Sequence, residues 1–338
     1  MTAPASGLET QETLGPVGTG DSGSGGSIEG RSPTRLALAR FRHDRLSMIA
    51  FAITTLYILV AIAAPILVHF NVLDPLTGNQ ALLNIPQGGI PKGALGGLNW
   101  SHPLGVEPGS GRDVFARLLY GISWSMGIGI FSTVITVVVG TVVGIVAGMN
   151  GGWVDGIIGR GIDLTLSFPS TLMLLAFSSS TVDYMQNNLG ISNQDVAQSM
   201  YVVVVLALFS WPVIARIVRG QVLSIREREY IEAAKLIGAS RMRLYFREVL
   251  PNLWAPLLVY FTLTVPLNIS AEAALNYLGV GVAPPTPTLG NILRDGVNWV
   301  QTDFPFFFIP GLMLAIVVIA FNLTGDGLRD ALDPRANR

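Results

Sequence analysis

The 338-residue chain contains no cysteine, three histidines and two lysines, and only 13% of it is charged. Soluble domains carry roughly 25% charged residues. Without cysteine there is no disulfide framework and no thiolate metal site. His43, His69 and His102 lie far apart with no ligand spacing, which argues against a zinc enzyme. A phosphate-binding loop needs Gly-Lys-Ser/Thr, because the lysine neutralises the phosphates. Lys92 follows Pro91 and Lys235 follows Ala234, so neither can serve. No Ser-His-Asp set or nucleophile elbow appears. A net charge of −1 leaves no basic stripe for nucleic acid. The chain is therefore expected to be no enzyme and to bind no cofactor or metal. Energy for any work must come from a partner or an ion gradient.

What it has in abundance is apolar length. Half of the residues are hydrophobic, and six runs could each cross a hydrocarbon core of about 30 Å, which takes about 20 helical residues. They are 46–68, 120–149, 161–180, 196–215, 249–271 and 304–325. Only the third holds a charge, Asp163 near its start. The expectation is an all-α integral membrane protein with six transmembrane helices. The second run is longer than one crossing needs, and tilt or an interfacial extension would absorb the excess. The first run begins too far in, and is too long, for a cleaved signal peptide. Lys and Arg collect on the cytoplasmic side of membrane proteins. With the N-terminus inside, seventeen of the 21 fall inside, and only Lys92, Arg112, Arg117 and Arg294 fall outside. Both termini are expected in the cytoplasm, with the aromatic cluster Phe304, Phe306, Phe307 and Phe308 at an interface.

Residues 1–34 are rich in Gly, Ser, Thr and Pro and cannot offset the entropy of ordering, so they read as a disordered cytoplasmic tail. Within them, 18–23 matches GxGxxG but follows no strand and opens no helix, and Ile28-Glu29-Gly30-Arg31 resembles a protease linker. Both read as accidents of a native tail. Residues 35–70 hold a basic segment and the first span, 71–119 an outer loop, 120–326 the transmembrane core, and 327–338 the cytoplasmic C-terminus. Between the fourth and fifth runs lies a cytoplasmic stretch too long for a simple connection. There, 227–237 favours helix and Gly238 is a stop. Ala234 and Gly238, four apart, would leave one helix face nearly bare, so another surface could approach the backbone. Met242, Tyr245, Phe246 and Val249 follow at helical spacing as a stripe toward the bundle, with Arg241, Arg243 and Arg247 toward water or lipid phosphates. Pro251 would separate this amphipathic helix from the fifth span. On pattern alone the segment is either a docking element or an amphipathic hairpin at the lipid headgroups.

Glu232-Ala233-Ala234, then Gly238, then Leu250-Pro251 resembles the EAA loop of ATP-binding-cassette importer permeases. Glu248 departs from the apolar residue common there. His102-Pro103-Leu104-Gly105 with Gly111-Arg112-Asp113, Gly151-Gly152-Trp153-Val154-Asp155, and Leu278-Gly279-Val280-Gly281 with Pro284-Pro285-Thr286-Pro287 are similar to the dipeptide, oligopeptide and nickel branch. The C-terminal Asn322-Leu323 and Gly325-Asp326-Gly327 run is similar to its second, C-type subunit. The spacing over 106–110 is one residue longer than usual there. The resemblance covers nearly everything from residue 35 onward. It implies a type I importer permease fold in a bacterial inner membrane, and a coupling helix that docks on an ATPase through Glu232, Ala233, Ala234, Gly238, Leu250 and Pro251. The implied partners are a homologous permease, two cytoplasmic ATP-binding-cassette subunits that hold ATP and Mg, and an extracytoplasmic substrate-binding protein. Membrane lipid is also a partner; nucleic acid is not. Cargo is not readable; peptides, glutathione-like compounds, nickel chelates and haem all fit.

Two ionisable residues sit at the edges of apolar runs, where charge is costly. Asp163 either pairs and snorkels near an interface or has a role. Glu272, with Asn276 one turn on, either lines the path or forms a structural pair at the outer mouth. Pro212 and Pro266 are expected to kink their helices. A secondary transporter would want midplane ionisable groups and broken-helix repeats, and a membrane scaffold would not explain the EAA-like segment.

Overall fold

A computed structural model describes residues 33–332. The N-terminal tail with its motif look-alikes, and Asp333-Pro334 at the other end, lie outside the described residues. A short helix α1 (Pro33–His43) leads into α2 (Arg45–His69). Asp44 caps α2, accepting from the backbone N–H groups of Leu46 at 3.1 Å and Ser47 at 3.3 Å. The segment that follows α2 then carries a two-stranded ribbon, β1 (Leu83–Asn84) against β2 (Ile90–Pro91). Asp113 ends it and caps α3 (Val114–Asn150), accepting from Ala116 N at 2.7 Å.

After α3 come α4 (Gly152–Ser167) and α5 (Ser170–Asn188), then α6 (Gln194–Arg226) and the short α7 (Glu229–Leu236). Next, α8 (Arg241–Arg243) passes through a π-helical turn, Leu244–Val249, into α9 (Leu250–Tyr277). The chain ends with α10 (Leu289–Val297) and α11 (Phe304–Leu332). α2, α3, α6, α11 and the composite Arg241–Tyr277 helix are each long and apolar enough to cross a membrane.

The expected third span is not one straight helix. α4 and α5 meet at an 80° bend. The break is at Phe168-Pro169, where Phe168 is extended (φ −77°, ψ 136°). Proline disfavours helical backbone in the residue before it and offers no N–H of its own. The sequence reading ran through Pro169 because the apolar composition continues past it.

α3 is the axis of the bundle. In α3, Gly140, Gly144 and Gly148 form a bare stripe filled by Ile214, Val218 and Val222 of α6. A Cβ on Gly144 would lie 2.8 Å from the Ala215 carbonyl oxygen. Lipid tails are as apolar as leucine, so close backbone approach and dispersion hold such helices together. Farther out, α3 meets Ile269 of α9 at Gly129 and Thr288, ahead of α10, at Gly121. α11 closes on α2 through Gly327, which leaves no room for a Cβ beside Ser47. Tyr57 also donates to the Met313 carbonyl at 3.0 Å. The N-terminus of α2, the C-termini of α3, α6 and α11, and the start of α9 gather at one end. Gln221, Ala255 and Arg329 line one depression there.

Candidate functional site

At that end, α7 is held by two inward residues. Ile231 is fully enclosed in a cluster with Ile214, Val218, Val222, Val249 and Leu253, and Ala234 packs beside it at 8% exposure. The sequence reading placed Ala234 on an open face with Gly238; the structure corrects this, because Ala234 lies one turn from Ile231 and shares its buried side. Glu232, Ala233 and Lys235 are exposed, and Leu236 and Ile237 stand 89% and 74% exposed. Two bare aliphatic side chains at a helix end are the feature the sequence reading missed. Their signal was their position, just before a helix-stopping glycine and outside the apolar period.

The helix stops where expected. Gly238 has φ +81°; its N–H donates to Lys235 O, and Ala239 N–H donates to Ala234 O, both at 3.0 Å. This pair of bonds is a Schellman ending, which calls for a left-handed residue and so favours glycine. Nothing lies within 4 Å of a Cβ built on Gly238.

The return segment departs from the expected stripe. Leu244 and Val249 are buried, whereas Met242 and Phe246 are 66% and 58% exposed. The π-helical turn is the reason. Its wider turn spaces inward residues by five instead of three or four, so Leu244 and Val249 face the bundle and Met242 and Phe246 rotate out. Arg241, Arg243 and Arg247 are exposed as expected. Pro251 does not separate two helices. It sits at the start of α9 in one continuous course, directly after the π turn. An altered bonding register ahead of a residue that lacks an N–H is the local solution. Leu250 is half-buried and Pro251 exposed. Asn150, the last residue of α3, ties the segment down. Its Nδ2 donates to the Tyr245 hydroxyl at 3.0 Å, and Arg241 Nη1 donates to its Oδ1 at 3.4 Å.

Glu272 and Asn276 lie in α9 toward the opposite end. Both are buried, at 0% and 2% exposure, and Asn276 Nδ2 donates to Glu272 Oε1 at 2.5 Å. Asn276 also fills the space against Gly281, so the pair sits inside this chain's own packing under the Leu278–Gly281 turn. Asp163 is paired, receiving Arg216 Nη2 at 2.6 Å, and Asp155 takes Arg219 in a two-pronged contact. These pairs strap α4 to α6.

The segment between α2 and α3 is fastened by a charged cluster. Glu107, 3% exposed, binds Arg112 Nε at 2.5 Å and lies 3.6 Å from Arg117 Nε. Arg117 is fully buried and donates through Nη1 to Pro285 O at 3.1 Å, which links the loop to the Pro284–Pro287 turn. The longer 106–110 spacing is absorbed in a turn closed by Glu107 N–H to Arg112 O at 2.7 Å. His102 Nδ1 meets Asp113 Oδ2 at 2.5 Å. Burial pushes Asp295 above the ordinary carboxylate range, with nearby Glu107 adding repulsion. Burial likewise raises Asp303, which caps α11 at Phe306 N–H and packs on Gly96. Among the described residues no group of three His, Cys, Asp or Glu is arranged to hold a metal.

Residues 140–338 match the family model described as binding-protein-dependent transport system inner membrane component, and 32–83 match the N-terminal transmembrane domain of oligopeptide transport permease C. The chain is 34% identical to the dipeptide transport system permease protein of Alkalihalophilus pseudofirmus, over 90% of each. It is 35% identical to the oligopeptide transport system permease protein of Bacillus subtilis, over 89% of this chain and 90% of that one. It is 34% identical to the glutathione transport system permease protein of Escherichia coli, over 90% and 91%. A chain of an inward-facing methionine ABC transporter superposes with a TM-score of 0.51 at 19% identity, covering 64% of this chain and 96% of that chain. At that identity the likeness concerns the fold alone.

Proposed function

The chain belongs to the family of binding-protein-dependent transport system inner membrane components, and on that premise we propose that it is the C-type subunit of a peptide importer, driven by separate ATPases that dock on α7. As a family member it is a multi-pass membrane permease and not an enzyme. The observation that carries the docking reading is the Leu236–Ile237 pair, exposed on a short helix whose other side is locked into the bundle. An apolar pair held rigidly at a membrane protein's end, beside Glu232 and Lys235, suits a protein groove better than a mobile lipid surface. Coupling needs such rigidity, because force on α7 passes through Ile231 directly to α6 and α9.

In this reading the α7 end faces the cytoplasm and the loop clamped by Glu107 faces the binding protein. Half of the pathway comes from this chain and half from a homologous permease. The names of the similar permeases support dipeptides, oligopeptides or a glutathione-like tripeptide as cargo. The experiment is reconstitution. The pure chain should hydrolyse no ATP, and hydrolysis with tri-alanine uptake should appear only when the partner permease, two ATPase subunits and binding protein are added. ATP hydrolysis by the rigorously pure chain would overturn it.

A further inference from the structure

Among exposed apolar side chains such as Leu164 and Leu267, α4 and α6 carry exposed ion pairs that a purely lipid-facing surface would lack. Asp163 and Arg216 pair there with 67% and 57% of their side chains exposed. Asp155 and Arg219 pair two turns away along α4. Exposed ionised groups on a membrane-spanning body face protein or water-filled space, since hydrocarbon gives them no partner.

Beyond the ion pairs lies a cavity of about 280 Å³ whose wall is mostly apolar, with Leu206 and Phe209 among it, and includes Ser170, Thr171, Ser210 and Asn268. Its depth follows from α6: Ser210 is sixteen residues from Gln194 (194 to 210) and sixteen from Arg226 (210 to 226). At 1.5 Å per residue that is about 24 Å from either end. The lining is also held in place. Asn268, 3% exposed, donates from Nδ2 to Thr133 Oγ1 at 2.9 Å. Tyr201 donates to Leu174 O at 2.6 Å, fixing α5 on α6. The helix break at Pro169 opens onto the same cavity, and the first turn of α5 has no side-chain cap. Irregular backbone at membrane depth persists only where protein or water covers it. A few hydroxyls, an amide and uncapped N–H groups, uncharged and set in an otherwise apolar wall, suit a ligand with neutral hydrogen-bonding groups.

We propose that this cavity is a cargo-contact site on the aqueous path, taking main-chain carbonyl groups of a peptide in passage, with the Asp163–Arg216 pair on its inner side in the same path. The proposal rests on the peptide-permease reading. A site that holds the peptide main chain through neutral groups does not discriminate by side-chain charge.

The chain has no cysteine, so single thiols can be placed in it. Ser210→Cys is compared with Leu208→Cys, which lies 200° around α6 and is 52% exposed on another face. Both are made in the fully assembled transporter in proteoliposomes. A small cationic methanethiosulfonate reagent is applied and modification of this chain is followed by mass spectrometry. Ser210→Cys should react at least tenfold faster than Leu208→Cys, and at least threefold slower while tri-alanine uptake is running. Equal rates at the two positions would overturn the assignment of the cavity to the path. Fast labelling that uptake does not slow would overturn the contact site. If the complex hydrolyses ATP but takes up no tri-alanine, the peptide reading fails, while the labelling contrast still decides whether the cavity is in the path.

Discussion

Arg117 is fully enclosed, and its charge is matched by Glu107, which is itself 3% exposed. Removing one member of a buried pair leaves the other charge unmatched, at about 3–5 kcal/mol. Glu107→Ala should therefore loosen the outer segment from the bundle, seen as faster protease cleavage within 71–113 in spheroplasts at unchanged membrane levels. Unchanged cleavage would count against the clamp. Asp303 makes a pH prediction of definite sign. Burial raises its folded-state pKa, so its contribution to stability is present in acid and is lost as pH rises through that value. Asparagine caps a helix about as well as aspartate and cannot ionise. Asp303→Asn should thus be nearly neutral at about pH 4 and increasingly stabilising toward pH 7, starting above the ordinary aspartate value of about 3.9. Thermal unfolding of the two proteins across that range gives the difference directly; a difference that does not change with pH would refute it.

At the scale of elements, the glycine stripe of α3 and the ending of α7 make separate predictions. Gly144→Leu forces a side chain against the Ala215 carbonyl, a backbone atom that cannot swing aside. It should sharply lower the amount of chain in the membrane, whereas Val142→Leu, at a site 53% exposed, should not. Gly238→Ala places a Cβ at φ +81°, a left-handed conformation costing about 1–2 kcal/mol. A bulky substitution at Gly238 would mix that strain with any loss of docking, so Leu236 and Ile237 are the cleaner probes. This is also the scale at which the sequence was partly legible. The period of apolar runs and the glycine after 237 located the long helices and the end of α7. Three things stayed hidden. The π turn shifted the inward register without any residue type that announces it. Pro169 broke a run whose composition was continuous. Ala234 turned inward because Ile231, one turn earlier, is the anchor, and helical spacing alone does not say which side of a short helix is buried.

At the scale of the whole molecule, the claims are orientation and coupling. The proposed orientation, with α7 inside, places seventeen of the 21 Lys and Arg on the cytoplasmic side, where such residues collect. The gathering of α7 with the C-termini of α3, α6 and α11 at one end agrees with that alternation. In intact spheroplasts a cysteine at Gln87 should react with an impermeant maleimide, and one at Arg243 only after permeabilisation. The reverse pattern would invert the topology. Glu272 and Asn276 show why the candidate path was harder to read than the fold. Their polarity in an apolar helix marked them, but polarity marks buried networks and open paths alike, and only packing separates the two.

Coupling through α7 is tested most directly by co-purification of the ATPase subunits. Leu236 is 89% exposed, so a change there leaves this chain's core intact. Leu236→Glu sets an unpaired charge in the docking face, where each 1.4 kcal/mol lost is about tenfold in affinity. Wild type, Leu236→Glu and Arg241→Ala are compared at matched membrane levels. ATPase retained by wild type and Arg241→Ala but lost from Leu236→Glu is the predicted result. Full retention by Leu236→Glu would contradict docking on α7 and leave the segment as a helix at the lipid surface.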